Sequence, residues 1–161
     1  AASDVYKRQV RQRWAQAERD GDFFGIAGID PADTEFLGIR MVQGTLADFT
    51  DGSVLVDEGW AEDEDLAVGD TYTLDKTPKG RLELRVAGIY AENPVIFFPT
   101  VTTLETLKQQ GYPTSDNALI LDAGPDTVGL QSRLDVSGVS YENGLRVTRA
   151  YLGAFGRSGR R

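Results

Sequence analysis

Apolar and polar positions alternate most cleanly where Leu82, Leu84 and Val86 interleave with Arg81, Glu83 and Arg85. A period of two marks a half-buried strand. Thr71-Tyr72-Thr73-Leu74 precedes it, and the loop Thr77-Pro78-Lys79-Gly80 joins the two into a predicted β-hairpin. Ser53-Val54-Leu55-Val56 reads as a buried strand. Phe23 to Ile29, Phe36 to Val42, Val95 to Phe98 and Asn117 to Asp122 read as further strands. Asp30-Pro31 closes the first of these, because the residue before a proline is driven out of helical angles.

Helical spacing appears in between. Val10, Trp14 and Ala17 fall at i, i+4 and i+7, which predicts a helix to Arg19, ended by the turn Asp20-Gly21-Asp22. Thr45 to Phe49 is a short turn or helix. Asp57 to Asp65 predicts an acidic helix with Asp57 as its N-cap and Trp60 and Ala61 facing inward. Thr102 or Thr103 caps a helix to Gln110, with Leu104 and Leu107 inward and Gly111 at its end. Pro125 to Leu134 predicts another helix, and Asp135 to Ser140 a weak strand. Strand pairs mixed with helices, without a repeat, point to an α+β fold. The expected architecture is a mixed or antiparallel sheet with a β-hairpin and several short helices packed on it. The 161 residues leave room for two small lobes.

Charge changes how the ends are read. The chain carries 17 basic and 25 acidic side chains, a net −8. Residues 21–143 hold 7 basic and 22 acidic of these, so the middle is −15. Residues 1–20 are +2, and residues 144–161 are +5 with no acid at all. Such a middle argues against nucleic-acid binding. Asp4-Val5-Tyr6-Lys7-Arg8-Gln9 resembles the translation of a sequencing adapter, so residues 1–9 are read as a non-native segment of a metagenomic fragment. Gly153 to Arg161 has neither period, and residues 143–161 are read as a disordered or non-native tail. Residues 10–22 are then an N-terminal helix and turn, and 23–142 the core domain.

Candidate chemistry is narrowed sharply by two absences. The chain has no histidine and no cysteine. That removes disulfides, thiol nucleophiles, Ser-His-Asp triads and His- or Cys-ligated zinc, copper and iron. Glu62-Asp63-Glu64-Asp65 lacks the central glycine and closing Glu of a calcium loop and reads as a solvated helix face. Gly25 and Gly28 fall short of a dinucleotide fingerprint, and Asp30-Pro31 stands where its helix would begin. Carboxylates are abundant, but nothing singles out one pair as a hydrolytic dyad. Phe97 and Phe98, between Pro94 and Pro99, read as core packing before a partner-binding loop. No catalytic, cofactor-binding or metal-ligating residue is nominated, and no cofactor is expected. No apolar run approaches the ~20 residues of a membrane-spanning helix.

Five stretches form an ordered series. They are Gly28-Ile29-Asp30-Pro31, Gly44-Thr45-Leu46, Ser53 to Glu58 followed by Ala61, Leu66 to Thr71, and Val86-Ala87-Gly88-Ile89-Tyr90. Over roughly residues 23–122 this series resembles the MacB-like periplasmic core domain. That is the extracytoplasmic domain inserted after the first transmembrane helix of FtsX-like ABC transporter permeases, and the version here is most similar to actinobacterial ones. The matching residues are fold positions, so no active-site residue is carried over.

The resemblance implies a domain on the extracytoplasmic side of the cell membrane, without catalysis of its own. It implies a cytoplasmic ATPase subunit as partner, reached through transmembrane helices, and a second permease copy or half. It also implies contact with a substrate or accessory protein, and a role in export or in transmitting motion. The flanking membrane helices are missing from this stretch, which reads as a truncated piece. The competing expectations are a stand-alone acidic extracellular binding domain and a carboxylate-dependent hydrolase.

Overall fold

Asp20 and Gly21 both take positive φ, 54° and 87°. Two such residues in succession make the tight hairpin turn whose twist matches right-handed strands. The chain on either side therefore pairs. Strand β1 (Arg8–Arg19) lies antiparallel to β2 (Asp22–Ile29), with Arg19 opposite Asp22 and Arg13 opposite Gly28. The helix expected over Val10 to Arg19 is thus a strand. Ala15 and Ala17 are buried while Gln16 between them is exposed, which is strand alternation. The Asp-Gly pair that looked like a helix stop is a hairpin signal.

The computed structural model describes residues 8–96, 98–114, 118–122, 140–143 and 149–153. The chain divides into two compact units, Arg13–Thr114 and Ala1–Gln12 with Ser115–Arg161. The first unit holds β2, the latter part of β1, and five more strands: β3 (Met41–Gly44), β4 (Ser53–Asp57), β5 (Thr71–Thr77), β6 (Gly80–Tyr90) and β7 (Thr100–Thr103). Two short helices, α1 (Glu58–Asp63) and α2 (Leu104–Gln109), complete it. This is a mixed seven-stranded sheet with two helices, the α+β class read from the sequence.

Six of the strands close into a circuit. β2 is parallel to β7, β7 antiparallel to β4, β4 parallel to β6, and β6 antiparallel to β5. β5 then meets β1 where Lys76 lies opposite Glu18. A 2.9 Å ion pair between those two side chains and a 2.8 Å bond from the Asp20 amide to Asp75 hold this seam. β3 stands outside the circuit, antiparallel to the end of β6. The main core gathers Ala15, Ala17, Ile26, Val54, Val56, Tyr72, Leu74, Leu84 and Val86, joined by Ala61 of α1 and Leu107 of α2. Fully burying each of its larger aliphatic side chains contributes about 1.5–3 kcal/mol.

Both helices begin as their caps dictate. Asp57 Oδ1 accepts from the Gly59 and Trp60 amides at 2.9 and 3.2 Å, and the Thr103 hydroxyl accepts from the Thr106 amide at 3.0 Å. Two strand expectations move. Of Phe36 to Val42, the part up to Arg40 is turn and irregular chain: the Leu37, Gly38 and Ile39 amides bond to Asp33, Glu35 and Thr34 carbonyls, and the strand is Met41–Gly44. Local bonds satisfied that backbone before a sheet partner did. Val95, Ile96 and Phe98 are likewise not strand, and Phe97 lies outside the described residues. Asn93 folds its side chain onto the Val95 amide at 2.9 Å, and the strand begins only after Pro99, at Thr100.

In the second unit, the first residues of β1 pair with β8 (Ala118–Asp122), β8 with β10 (Arg149–Gly153), and β10 with β9 (Ser140–Asn143), all antiparallel. Arg149–Gly153, within the stretch read from the sequence as a disordered or non-native tail, is paired on both sides. The helix expected over Pro125 to Leu134 lies outside the described residues.

A close backbone crossing generates a test. Gly44 has φ 79°, and a Cβ there would run into the Ala87 carbonyl, which cannot move aside. A Cβ on Gly88, across the same crossing, would meet chiefly the flexible end of Met41. Gly44→Ala is expected to cost about 2–4 kcal/mol and Gly88→Ala about 1 kcal/mol, read from urea midpoints. Equal losses would show that the crossing relaxes freely.

Candidate functional site

Side chains from five elements and the turn after α1 converge where α1 covers the core. Arg19 ends β1, Phe24 is in β2, Trp60 is in α1, Glu64 caps that helix, Tyr72 is in β5 and Thr100 opens β7. Asp57 positions Trp60 by starting the helix three residues earlier. Phe24 packs against both larger rings, its centroid 6.2 Å from Trp60 and 6.4 Å from Tyr72. The Arg19 guanidinium lies over the Tyr72 ring, 4.6 Å from its centre, and its Nη1 bonds Glu64. A cation over an aromatic face, paired at its edge with a carboxylate, is held in two directions at once.

Burial pushes the Tyr72 hydroxyl above the usual tyrosine range, although Trp60, Arg19 and Thr100 pull the other way. Burial does the same to Tyr90, with the Asp57 carboxylate adding to it, and Tyr90 donates to the Phe98 carbonyl at 3.2 Å. These phenols stay neutral well into alkaline conditions.

The carboxylates near the core hold structure together. Asp30, Asp57 and Asp70 accept from local amides. Asp51 accepts from Thr103 at 2.6 Å, and Asp75 from Asp20. Glu18 and Glu64 pair with Lys76 and Arg19. In the acidic run, Glu62, Asp63 and Asp65 are exposed, while Glu64 is drawn in by Arg19. Among the described residues no group of acids is arranged to hold a metal ion.

The glycines weighed as a nucleotide signal serve packing. A Cβ on Gly25 would enter the Phe98 ring, and one on Gly28 would meet Leu107. Phe98 is half-buried and stands edge-on to Trp14 at 5.9 Å, so it packs as expected. Sequence reasoning missed the Arg19–Tyr72–Trp60 cluster altogether. Its members share no spacing, and the one local clue was the Asp-Gly turn beside Arg19.

No protein-family model matches the chain, and no curated protein does. Solved structures do match. One is a domain of a protein assigned as a permease from Porphyromonas gingivalis, with TM-score 0.53, 14% identity, and coverage of 92% of this chain and 72% of that one. A second is the periplasmic region of MacB from Actinobacillus actinomycetemcomitans, with TM-score 0.56, 16% identity and coverage of 83% and 66%. The chain has the fold of the MacB-like periplasmic domain. A third match, the extracellular domain of the noncanonic ABC-type transporter YknZ from Gram-positive bacteria, gives TM-score 0.53, 15% identity and coverage of 84% and 72%. The chain thus spans about two thirds to three quarters of these MacB-like domains.

Two tests follow from the cluster in this MacB-like fold. Arg19→Met keeps the apolar stem over Tyr72 but loses both charge contacts, with an expected loss of about 1–2 kcal/mol. Arg19→Lys should recover less than half, because an ammonium cannot stack flat on the ring. Urea midpoints measure both, and full recovery by lysine would exclude a stacking role.

The second concerns pH. Unfolded tyrosine ionises near pH ~10, and the buried phenols ionise higher. Below ~10 both states are neutral and the linkage contributes nothing; above it the unfolded state loses protons first and stability falls. The urea midpoint should drop between pH 9 and 11, and Tyr90→Phe should shallow that slope. An unchanged slope would remove Tyr90 as a cause.

Proposed function

We propose that this domain is the extracytoplasmic part of an ABC transporter permease subunit. It acts by contact with a substrate, a partner domain or an accessory protein, and transmits or receives motion without catalysis of its own. The observation that carries the reading is the fold likeness to three permease domains from different bacteria. The carboxylates in caps and ion pairs support it, since those oxygens already serve the fold. In this reading a cytoplasmic subunit hydrolyses ATP, and a second permease copy or half completes the transporter. Membrane anchoring belongs to neighbouring segments of the full protein; among the described residues no helix is long and apolar enough to cross a membrane.

The test is the complete gene. Its reading frame should place apolar stretches of ~20 residues on both sides of this domain. Co-expressed with the ATPase encoded beside it, the full protein should co-purify from membranes and hydrolyse ATP. Deleting this domain should uncouple that hydrolysis from transport. A complete frame with no membrane-spanning stretch would sink the reading.

A further inference from the structure

An aspartate followed by glycine exposes its side-chain carboxyl to attack by the next backbone nitrogen, because glycine has no Cβ to block the approach. The chain has two such pairs, Asp20-Gly21 and Asp51-Gly52. Both lie at the surface in turns, their glycines have φ 87° and 82°, and a Cβ on either would meet open space. Exposure and backbone do not tell the two apart, but their contacts do. The Asp51 carboxylate accepts from the Thr103 hydroxyl at 2.6 Å, and the Gly52 amide donates to the Thr106 hydroxyl at 2.9 Å. The two threonine hydroxyls are also bonded to each other at 2.8 Å. Both groups that would react are thus held from the start of α2. At Asp20 the bonded atom is instead the residue's own backbone amide, which donates to Asp75. The Asp20 side chain is 80% exposed and comes no nearer than 3.8 Å to Arg19 Nη1, which Glu64 already engages.

We propose that Asp20 is a site of spontaneous isomerisation to isoaspartate, and that Thr103 and Thr106 protect Asp51 from the same reaction. The Gly21 nitrogen attacks Asp20 Cγ. A C–N bond forms, a C–O bond of the protonated carboxyl breaks, and the hydroxyl leaves as water with the amide proton. Water then reopens the five-membered imide at the main-chain carbonyl, so the chain runs on through the side-chain carbon. One water is lost and one is gained, and no other reactant is needed. The product carries one extra backbone carbon in the two-residue turn that sets β1 against β2. At Asp51 the same step requires the threonine contacts to open first, and the opening equilibrium slows it.

The experiment ages the 161-residue chain in mildly acidic buffer, with and without denaturing urea. Cleavage after glutamate releases residues 19–35 and 36–58, with one Asp-Gly pair in each, and electron-transfer fragmentation counts the isoaspartate at each site. Each site's rate in the folded chain is divided by its rate in urea, which removes intrinsic differences. The quotient for Asp51 should be at least about tenfold below that for Asp20. Thr106→Val frees the Gly52 amide and leaves the Thr103 cap in place, so it should raise the Asp51 quotient. Equal quotients, or no isoaspartate at Asp20 in the folded chain, overturn the proposal. A folded Thr106→Val chain without the rise overturns the protective role. The unmutated chain decides the comparison even where the variant does not fold.

Discussion

A twisted sheet has two edges, each a row of unpaired backbone groups that invites another chain to add on. In Arg13–Thr114 a single strand, β1, meets this constraint at both edges. It pairs with β2 over seven positions, and it touches β5 at one, Glu18 opposite Lys76. The two seams are unequal, and side chains reinforce the lighter one. Glu18 is only 15% exposed although Lys76 is 72% exposed, so its carboxylate is largely out of water and its pairing counts for more than a surface ion pair. Arg19, next along β1, carries the same seam over to Tyr72 of β5 and Glu64 beyond α1. All of this hangs on the Asp20-Gly21 turn, because that turn puts β1 in register. β3, which stays outside the circuit, is four residues long, short enough to offer little as a template.

Closure forces polar groups inside, and the sheet handles them in two ways. Near the start of α2 they satisfy one another. The Thr103 hydroxyl donates to Asp51 at 2.6 Å and accepts from the Thr106 amide at 3.0 Å. Thr106 in turn accepts from the Gly52 amide, and Thr102 donates to the Ser53 carbonyl. Three threonine side chains and Asp51 thereby lock the helix to the turn before β4. At the α1 end the Tyr72 hydroxyl has the Trp60 N–H and the Thr100 hydroxyl as its polar neighbours. Threonine suits both ends because it is β-branched, favoured in strands, and brings a hydroxyl that reaches the backbone.

Local signals in the sequence were read correctly where one residue type has one strong job. Asp57 and Thr103 as caps and the alternation in β6 stand as expected. Signals that serve two structures were misread. Val10, Trp14 and Ala17 fit a helix, and Ala15 and Ala17 fit a strand; only the partner strand decides between them, and it lies beyond the turn. The stretches that begin at Phe36 and Val95 are rich in apolar residues, but the Leu37 and Ile39 amides bond to Asp33 and Thr34 and the Val95 amide to Asn93. The cluster of Arg19, Phe24, Trp60, Tyr72 and Thr100 had no sequence signature, since its members meet only after the sheet has closed.

The same physics explains how a chain can share a fold at 14–16% identity while no family model matches it. A strand position buried on one face accepts Val, Ile or Leu almost equally, provided the volume is kept. A helix start accepts Asp, Asn, Ser or Thr. A hairpin turn asks for a pair of residues tolerant of positive φ. Each requirement is a class of residue at a position, so the identity of any one residue carries little of the fold. What the fold asks of this chain is order and spacing: strand, capped helix, Gly-Asp turn, hairpin, and a strand end that passes close to Gly44.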